Sequence, residues 1–405
     1  MSVKKALFLT NEFPPHIYGG AGVHVDYLSR ELAREIEIDV RCFGDQNESA
    51  PPMTVRGAEV PAGLLDATPD KLRSPVGMLA RSVEWLARDI DADVVHCHTW
   101  YSHFAGIACK LLYGTPLVLT THSLEPLRPW KREQIGRGYD FSSWVERTAI
   151  EMADAVVAVS QETKADVLRH FDVDPARVCV IPNGIDLDEY AYTAATDGLE
   201  KHGVPLGEPY VLFVGRITRQ KGIVHLLSAI EKLESDACVV LCAGAPDTEE
   251  IAREMKQRVE HLQKTRGNVI WIEEMVPRAV AIQLYSHARV FCCPSIYEPF
   301  GIINLEAMAC NTAVVASAVG GIKEVVVDGQ TGTLVRFEQQ TEAPFEPVDA
   351  DAFAAGLARA LDAVLADEAL AKRYGEAGRA RVEERFAWRA VAAEVLGLYN
   401  RLASQ

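Results

Sequence analysis

Short apolar runs recur along this chain. Each ends in a polar or glycine-bearing turn and leads into a stretch with apolar positions three and four residues apart. The first series of runs is 4–10, 38–43, 94–97, 117–120 and 155–160. Helical spacing lies between them: Val25, Leu28 and Leu32, then around 76–88, 104–112 and 142–154. The series restarts at 210–215 and continues at 239–244, 269–272, 290–293 and 313–316. Helices are expected at 350–366, 368–384 and about 388–402, the last with Val391, Val395, Leu398 and Leu402 on one face. Strands alternating with helices predict parallel sheets covered on both faces. Residues 191–208 are polar, with Gly and Pro, and read as a linker. The fold class is therefore α/β, with two domains: 1–190, and 191–387.

In such sheets ligands sit at the carboxyl ends of the strands, so the turns carry the candidate chemistry. After the run at 290–293 comes Glu298-Pro299-Phe300-Gly301, then a helix from about Ile302. Gly301 permits a backbone too close to a ligand for any Cβ, and the helix start points free N–H groups and a positive dipole end at an anion. Glu298 and Glu306 bracket the loop, and Glu306, one turn into the helix, can reach hydroxyls beside that anion. A nucleotide sugar has this layout of diphosphate, ribose diol and sugar hydroxyls; solvated glutamates on an ordinary strand–loop–helix are the plainer alternative. Arg216 and Lys221 flank the turn after Gly215, a fork and a point charge suited to a diphosphate.

The first series has its own polar turns. Asn11 to Gly22 is rich in Pro and Gly, including Gly19 and Gly20, but is not the G-x-G-x-x-G of dinucleotide folds. His96, His98 and His103 cluster after one strand, and no carboxylate joins them at ligand spacing, so no metal is expected. His122 follows another strand. Arg128, Lys131, Arg132 and Arg137 fall within ten positions, and Arg147 lies on the next helix. This basic segment reads either as a solvated mobile loop or as a lid for an anionic acceptor.

Composition narrows the classes. The chain has 405 residues, 48% hydrophobic and 24% charged, and a formal net charge of −16. That acidity argues against a nucleic-acid binder and requires local cations to hold any anionic ligand. No apolar run approaches a membrane span, and the run after Lys4-Lys5 is too short for a signal-peptide core and reads as a first strand. Nine cysteines, mostly in apolar runs and with no C-x-x-C pair, fit buried reduced thiols in a cytoplasmic protein.

Glu298-x7-Glu306 enclosing Pro-Phe-Gly resembles the E-x7-E element of retaining glycosyltransferases of the GT-B fold. Gly215-Arg216-x4-Lys221-Gly222, Ile181-Pro182-Asn183-Gly184-Ile185-Asp186, the Gly19-Gly20 loop and His122 are similar to further features of that family. The resemblance implies two Rossmann-like domains facing a cleft, with the final helix, about 388–405, crossing back to the N-terminal domain. It implies no cofactor and no metal, and His122, Glu298, Arg216 and Lys221 in the catalytic roles. Donor binding would fall to Gly19, Gly20, Arg216, Lys221, Glu298, Phe300, Gly301, Ile302 and Glu306, and an adenine would lie near Glu273 to Pro277. Tyr101, Arg128, Lys131, Arg137 and Arg147 are the acceptor candidates. The D-x-D strings at Asp89, Asp172 and Asp186, which mimic the metal site of another glycosyltransferase fold, read as turn chemistry.

Within that family the chain resembles the short glycogen-synthase-like group of actinobacteria. The group implies ADP-glucose as donor, and glucose 1-phosphate (giving α-maltose 1-phosphate) or an α-1,4-glucan end as acceptor. Tyr18-Gly19-Gly20-Ala21-Gly22 stands where longer bacterial glycogen synthases carry a Lys-Thr-Gly-Gly loop, which puts glucan elongation in doubt. A transferase for another nucleotide sugar, acting on an inositol phosphate or a lipid, is the alternative, and a non-catalytic or epimerase-like relative is a third. A homodimer is left open.

Overall fold

The computed structural model describes residues 2–17 and 19–404, so Tyr18 of the glycine loop lies outside the described residues. The chain divides into two units: Met1–Gly184 with Trp388–Gln405, and Ile185–Ala387.

The first unit runs β1 (Lys5–Leu9), α1 (Gly20–Leu32), β2 (Glu37–Phe43), β3 (Asn47–Ala50), β4 (Met53–Ala58), α2 (Asp70–Leu86), β5 (Val94–His98), α3 (Trp100–Tyr113), β6 (Leu117–Thr121), α4 (Lys131–Ile135), α5 (Gly138–Met152), β7 (Ala155–Ala158), α6 (Gln161–His170) and β8 (Val178–Val180). The sheet order is β3-β4-β2-β1-β5-β6-β7-β8, parallel except for the β3–β4 pair. After β1 the chain first moves one way across the sheet, to β2, then returns to the other side at β5. The strand order therefore reverses between β1 and β5, which is where a doubly wound sheet opens a binding crevice at its carboxyl edge. The hairpin β3–β4 has no counterpart among the expected runs, because every residue of β3 is exposed and none of Asn47-Glu48-Ser49 is apolar.

Residues expected to be apolar strands are buried almost without exception: Ala6, Leu7, Phe8 and Leu9, and likewise Val94 and Val95 and all of Leu117–Thr121. The chain's last helix, Trp388–Leu402, belongs to this unit. Val391, Val395, Leu398 and Tyr399 pack with Val25, Leu28 and Val40 in its core. At about 1.5–3 kcal/mol for each large apolar side chain removed from water, that face fixes the helix firmly. Arg41, buried in β2, is held by Asp39 and by the carbonyls of Trp85 and Asp89, which ties the sheet to the end of α2.

The second unit runs α7 (Asp197–Lys201), β9 (Tyr210–Arg216), α8 (Ile223–Ile230), β10 (Cys238–Gly244), α9 (Glu249–Thr265), β11 (Val269–Ile272), α10 (Arg278–His287), β12 (Val290–Cys293), α11 (Ile302–Ala309), β13 (Ala313–Ser317), α12 (Ile322–Val325), β14 (Gly332–Val335), α13 (Ala350–Ala366) and α14 (Glu368–Arg385). The expected linker at 191–208 thus contains a short helix. The all-parallel sheet is ordered β11-β10-β9-β12-β13-β14, so its reversal falls between β9 and β12. These are the two strands whose turns carry Arg216, Lys221, Glu298 and Gly301. No helix among the described residues is long and apolar enough to cross a membrane.

Candidate active site

In the second unit the turn after β9 is a single 3-10 turn, Arg219–Lys221, capped by Thr218, whose hydroxyl accepts from the Lys221 N–H. Gly222 closes it at φ 63°, and a Cβ there would lie 2.0 Å from the carbonyl oxygen of Pro294. Only glycine lets this turn press against the loop leaving β12, and the Ile296 N–H donates to the Gln220 carbonyl across the contact at 3.0 Å. The result is an ion pair between distant residues: Lys221 Nζ lies 2.6 Å from Glu298 Oε2. Ser295 Oγ donates to the same carboxylate oxygen at 3.2 Å. Burial alone would lower the Lys221 pKa, but Glu298 and the Cys293 thiol more than offset it, so Lys221 stays charged.

Gly301, at φ 94°, caps α11, and a Cβ there would meet the Asn304 amide at 2.7 Å. Phe300 is buried against Phe386, and Ile302 opens the helix. One turn on, Glu306 accepts from Tyr190 Oη at 3.1 Å and Tyr285 Oη at 2.9 Å. Burial raises its pKa, and the two phenols work against that shift. Arg216 forms an ion pair with Asp247, in the turn after β10. The unit thus brings two cations, two held carboxylates and a helix start to one sheet edge. Sequence reasoning missed Asp247, Ser295, Tyr190 and Tyr285. Asp247, Tyr190 and Tyr285 act across separations of 31, 116 and 21 residues, which no local spacing marks, whereas Ser295 lies only three residues before Glu298.

In the first unit, Gly19 caps α1, Gly20 begins it, and the Gly19 N–H donates to Glu12 Oε2 at 2.9 Å. A carboxylate of the chain itself thus holds the backbone of the loop expected to take part in donor binding. Thr99, between β5 and α3, has φ 68°, an outlier for a β-branched residue, and its hydroxyl donates to Asn11 Oδ1 at 2.7 Å. The Thr99–Asn11 bond joins the loops after β5 and β1 at the point where the strand order reverses, and the Gly19–Glu12 bond braces the β1 loop on itself.

His122 stands at the end of β6, partly exposed, with its Nε2 at 3.2 Å from His98 Nδ1. His24, one turn into α1, packs edge-on against it at 4.8 Å between ring centroids, and its Nδ1 lies 2.6 Å from Asn183 Oδ1. Burial and the neighbouring imidazoles push His122 and His98 well below the ordinary histidine range. Burial likewise takes His24 down to about 4, against its bond to Asn183. All three rings are neutral near pH 7. His96, by contrast, is tied off by Tyr399 and Thr120.

The basic segment, read as either a solvated mobile loop or an acceptor lid, is partly built into the core. Lys131 begins α4 and is buried, its ammonium 2.6 Å from Glu125, whose other oxygen accepts from Ser142. It is a core ion pair, because Glu125 needs a countercharge once α5 covers it. Arg132 pairs with Asp140, and Arg147 pairs with Glu151 and lies over Phe171. Arg128 gives one bond to Ser123 Oγ at 3.1 Å, and its Nε has no protein partner. Arg137 is exposed. Tyr101 stacks on Trp100 at the start of α3. The three D-x-D strings act locally: Asp174 caps a 3-10 turn, Asp186 accepts from the N–H groups of Asp188 and Glu189, and Asp91 pairs with Lys5.

Two parallel-sheet units, with a basic pair and two anchored glutamates at one reversal point, define a glycosyltransferase of the GT-B class. The comparisons agree: residues 18–189 match the model described as Glycosyltransferase Family 4, and 196–381 match Glycosyl transferases group 1. The chain is 46% identical to an alpha-maltose-1-phosphate synthase of Mycolicibacterium smegmatis, covering 99% of this chain and all of that one. It is 32% identical to a D-inositol 3-phosphate glycosyltransferase of Xylanimonas cellulosilytica, over 94% and 91% of the two chains. Among solved structures, the sucrose-phosphate synthase of Thermosynechococcus elongatus superposes with a TM-score of 0.77 at 26% identity, over 99% and 100%. This chain belongs to that glycosyltransferase family and is similar over its whole length to alpha-maltose-1-phosphate synthases.

Proposed function

We propose that this chain moves glucose from ADP-glucose to glucose 1-phosphate, with retention and without a metal, forming α-maltose 1-phosphate for α-glucan synthesis. The observation that carries this reading is the Lys221–Glu298 pair beside Arg216 at the reversal point of the second sheet, in a chain 46% identical from end to end to an alpha-maltose-1-phosphate synthase.

Arg216 and Lys221 would take the charge that grows on the leaving diphosphate, the largest electrostatic demand of the step. The start of α11, past Gly301, adds backbone N–H groups. Glu298 accepts both of its hydrogen bonds at Oε2, which leaves Oε1 for a sugar hydroxyl. Glu306, fixed between two tyrosines, would accept from the ribose diol. Neither glutamate is a free nucleophile. The reaction then proceeds on one face, the departing phosphate oxygen taking the proton of the acceptor hydroxyl. His122, held neutral, adds a hydrogen bond to the sugar without a second charge. On the acceptor side, Arg128 and Arg137 are the cations of the basic segment not already matched to a carboxylate, and a net charge of −16 makes such local cations necessary for a sugar phosphate.

The test is release of ADP from ADP-glucose with glucose 1-phosphate, glycogen or an inositol phosphate offered separately. Fast release with glucose 1-phosphate alone supports the proposal. Release only with glycogen would make the chain an elongator, and release only with inositol phosphate would favour the second relative's acceptor class.

A further inference from the structure

The first unit gathers three imidazoles from three separate elements: His24 on α1, His98 at the end of β5 and His122 just past β6. Each offers one ring nitrogen, and these nitrogens all lie within 4.8 Å of one another. Two are already at ligand spacing. With metal–nitrogen bonds of about 2.0–2.1 Å, a tetrahedral ion holds its ligand nitrogens roughly 3.3–3.4 Å apart, and His98 Nδ1 to His122 Nε2 is 3.2 Å. His24 must close by no more than roughly 1.4 Å, a swing of one ring.

The hydrogen bonds fix which atoms are available. Asn183 Oδ1 accepts from His24 Nδ1, so His24 carries its proton there and presents a lone pair at Nε2. That Nε2 is buried and has no protein partner. A buried imidazole lone pair without a donor is costly, and a cation is one group that resolves it. Orientation of a histidine through its other nitrogen is also what metal sites use to aim a ligand. One proton lies between His98 Nδ1 and His122 Nε2 in their 3.2 Å hydrogen bond, and an ion takes its place as that proton moves to the other nitrogen of its ring. His122 is the partly exposed member and gives the ion a way in.

We propose that His24, His98 and His122 form a binding site for a divalent transition-metal ion of the Zn²⁺ or Co²⁺ type. Three protein ligands leave a fourth position for water or a ligand oxygen. Occupancy takes the His122 nitrogen and so inhibits transfer; this consequence rests on the role given to His122 above, whereas the site itself does not.

The experiment is titration of the full-length, thiol-reduced protein with Co²⁺, read by its visible d–d bands, and competition by Zn²⁺. One equivalent bound, without thiolate charge-transfer bands, is expected. His24→Gln should lose the site. Because a change at His24 could disturb packing against Trp388, Asn183 supplies the second arm. Asn183→Leu, which frees the His24 tautomer, should weaken binding about 10–100-fold. Asn183→Asp, whose carboxylate accepts the same proton more strongly, should bind at least as tightly as the wild type. A purely structural Asn183 would not split the two variants in this way. No stoichiometric ion in the wild type, thiolate bands, or wild-type affinity in His24→Gln would overturn the site. Binding that leaves turnover untouched would uphold the site and overturn the role of His122.

Discussion

Removing Lys221 should damage the second unit in two separable ways. In Lys221→Met the Glu298 carboxylate, 7% exposed, loses the ammonium 2.6 Å away and keeps only Ser295. Stranding one member of a buried pair costs about 3–5 kcal/mol. Lys221 keeps 22% of its side-chain surface exposed, so the low end, about 3 kcal/mol, applies. For a unit of this size, each kcal/mol moves Tm by about 2–4 °C, giving a loss of roughly 6–12 °C in the transition of that unit. Turnover should fall about 10²-fold or more, as when one group stabilising transition-state charge is deleted. Adding Glu298→Gln to Lys221→Met removes the stranded charge and should recover most of the Tm but none of the turnover. Calorimetry and ADP release on both variants measure the two effects. Turnover within about fivefold of wild type in Lys221→Met, alongside the Tm loss, would leave the pair purely structural and refute the reasoning.

Other expectations follow from the same geometry. His24 and His103 are held down at about 4 and about 3 by burial, so the unfolded chain binds more protons below the ordinary 6.5. Their contribution is intact above that pH and is lost as pH falls, by about 2 kcal/mol each at pH 5. Urea midpoints at pH 7 and 5 check this, and His103→Asn should remove part of the slope. Glu306 has the opposite sign: its pKa is raised, so wild-type stability falls as pH climbs from the ordinary carboxylate range through the raised value. Glu306→Gln should therefore raise Tm at pH 8 and not at pH 4, while raising the KM for the donor; an unchanged KM would remove Glu306 from donor binding. Arg128→Ala should raise the KM for glucose 1-phosphate and spare both donor KM and Tm. Lys131→Met should mainly lower Tm, by stranding Glu125, and equal Tm losses in the two variants would contradict the distinction.

The sequence made the sheet edges legible because a buried parallel strand must be continuously apolar and must end in a turn. Val290 to Cys293 and the run ending at Gly215 therefore announced both the strands and the positions of Arg216, Lys221, Glu298 and Gly301. What spacing could not carry were partners brought in from afar. Tyr190 and Tyr285 reach Glu306 from 116 and 21 residues away, and Asn183 reaches His24 across 159. The hairpin partner β3 stayed invisible because its exposed side chains leave no period-two signal. At 128–137 charge density left two readings open, a solvated mobile loop or a lid for an anionic acceptor, and spacing could not show that Glu125 and Asp140 take up two of the four cations.

The most direct measurement is an NMR time course of the reaction with ADP-glucose and glucose 1-phosphate. The expected result is a new α-linked anomeric signal, from a disaccharide phosphate, growing in step with ADP. A β-linked product would contradict retention, and no disaccharide phosphate at all would contradict the assignment of donor and acceptor to this chain.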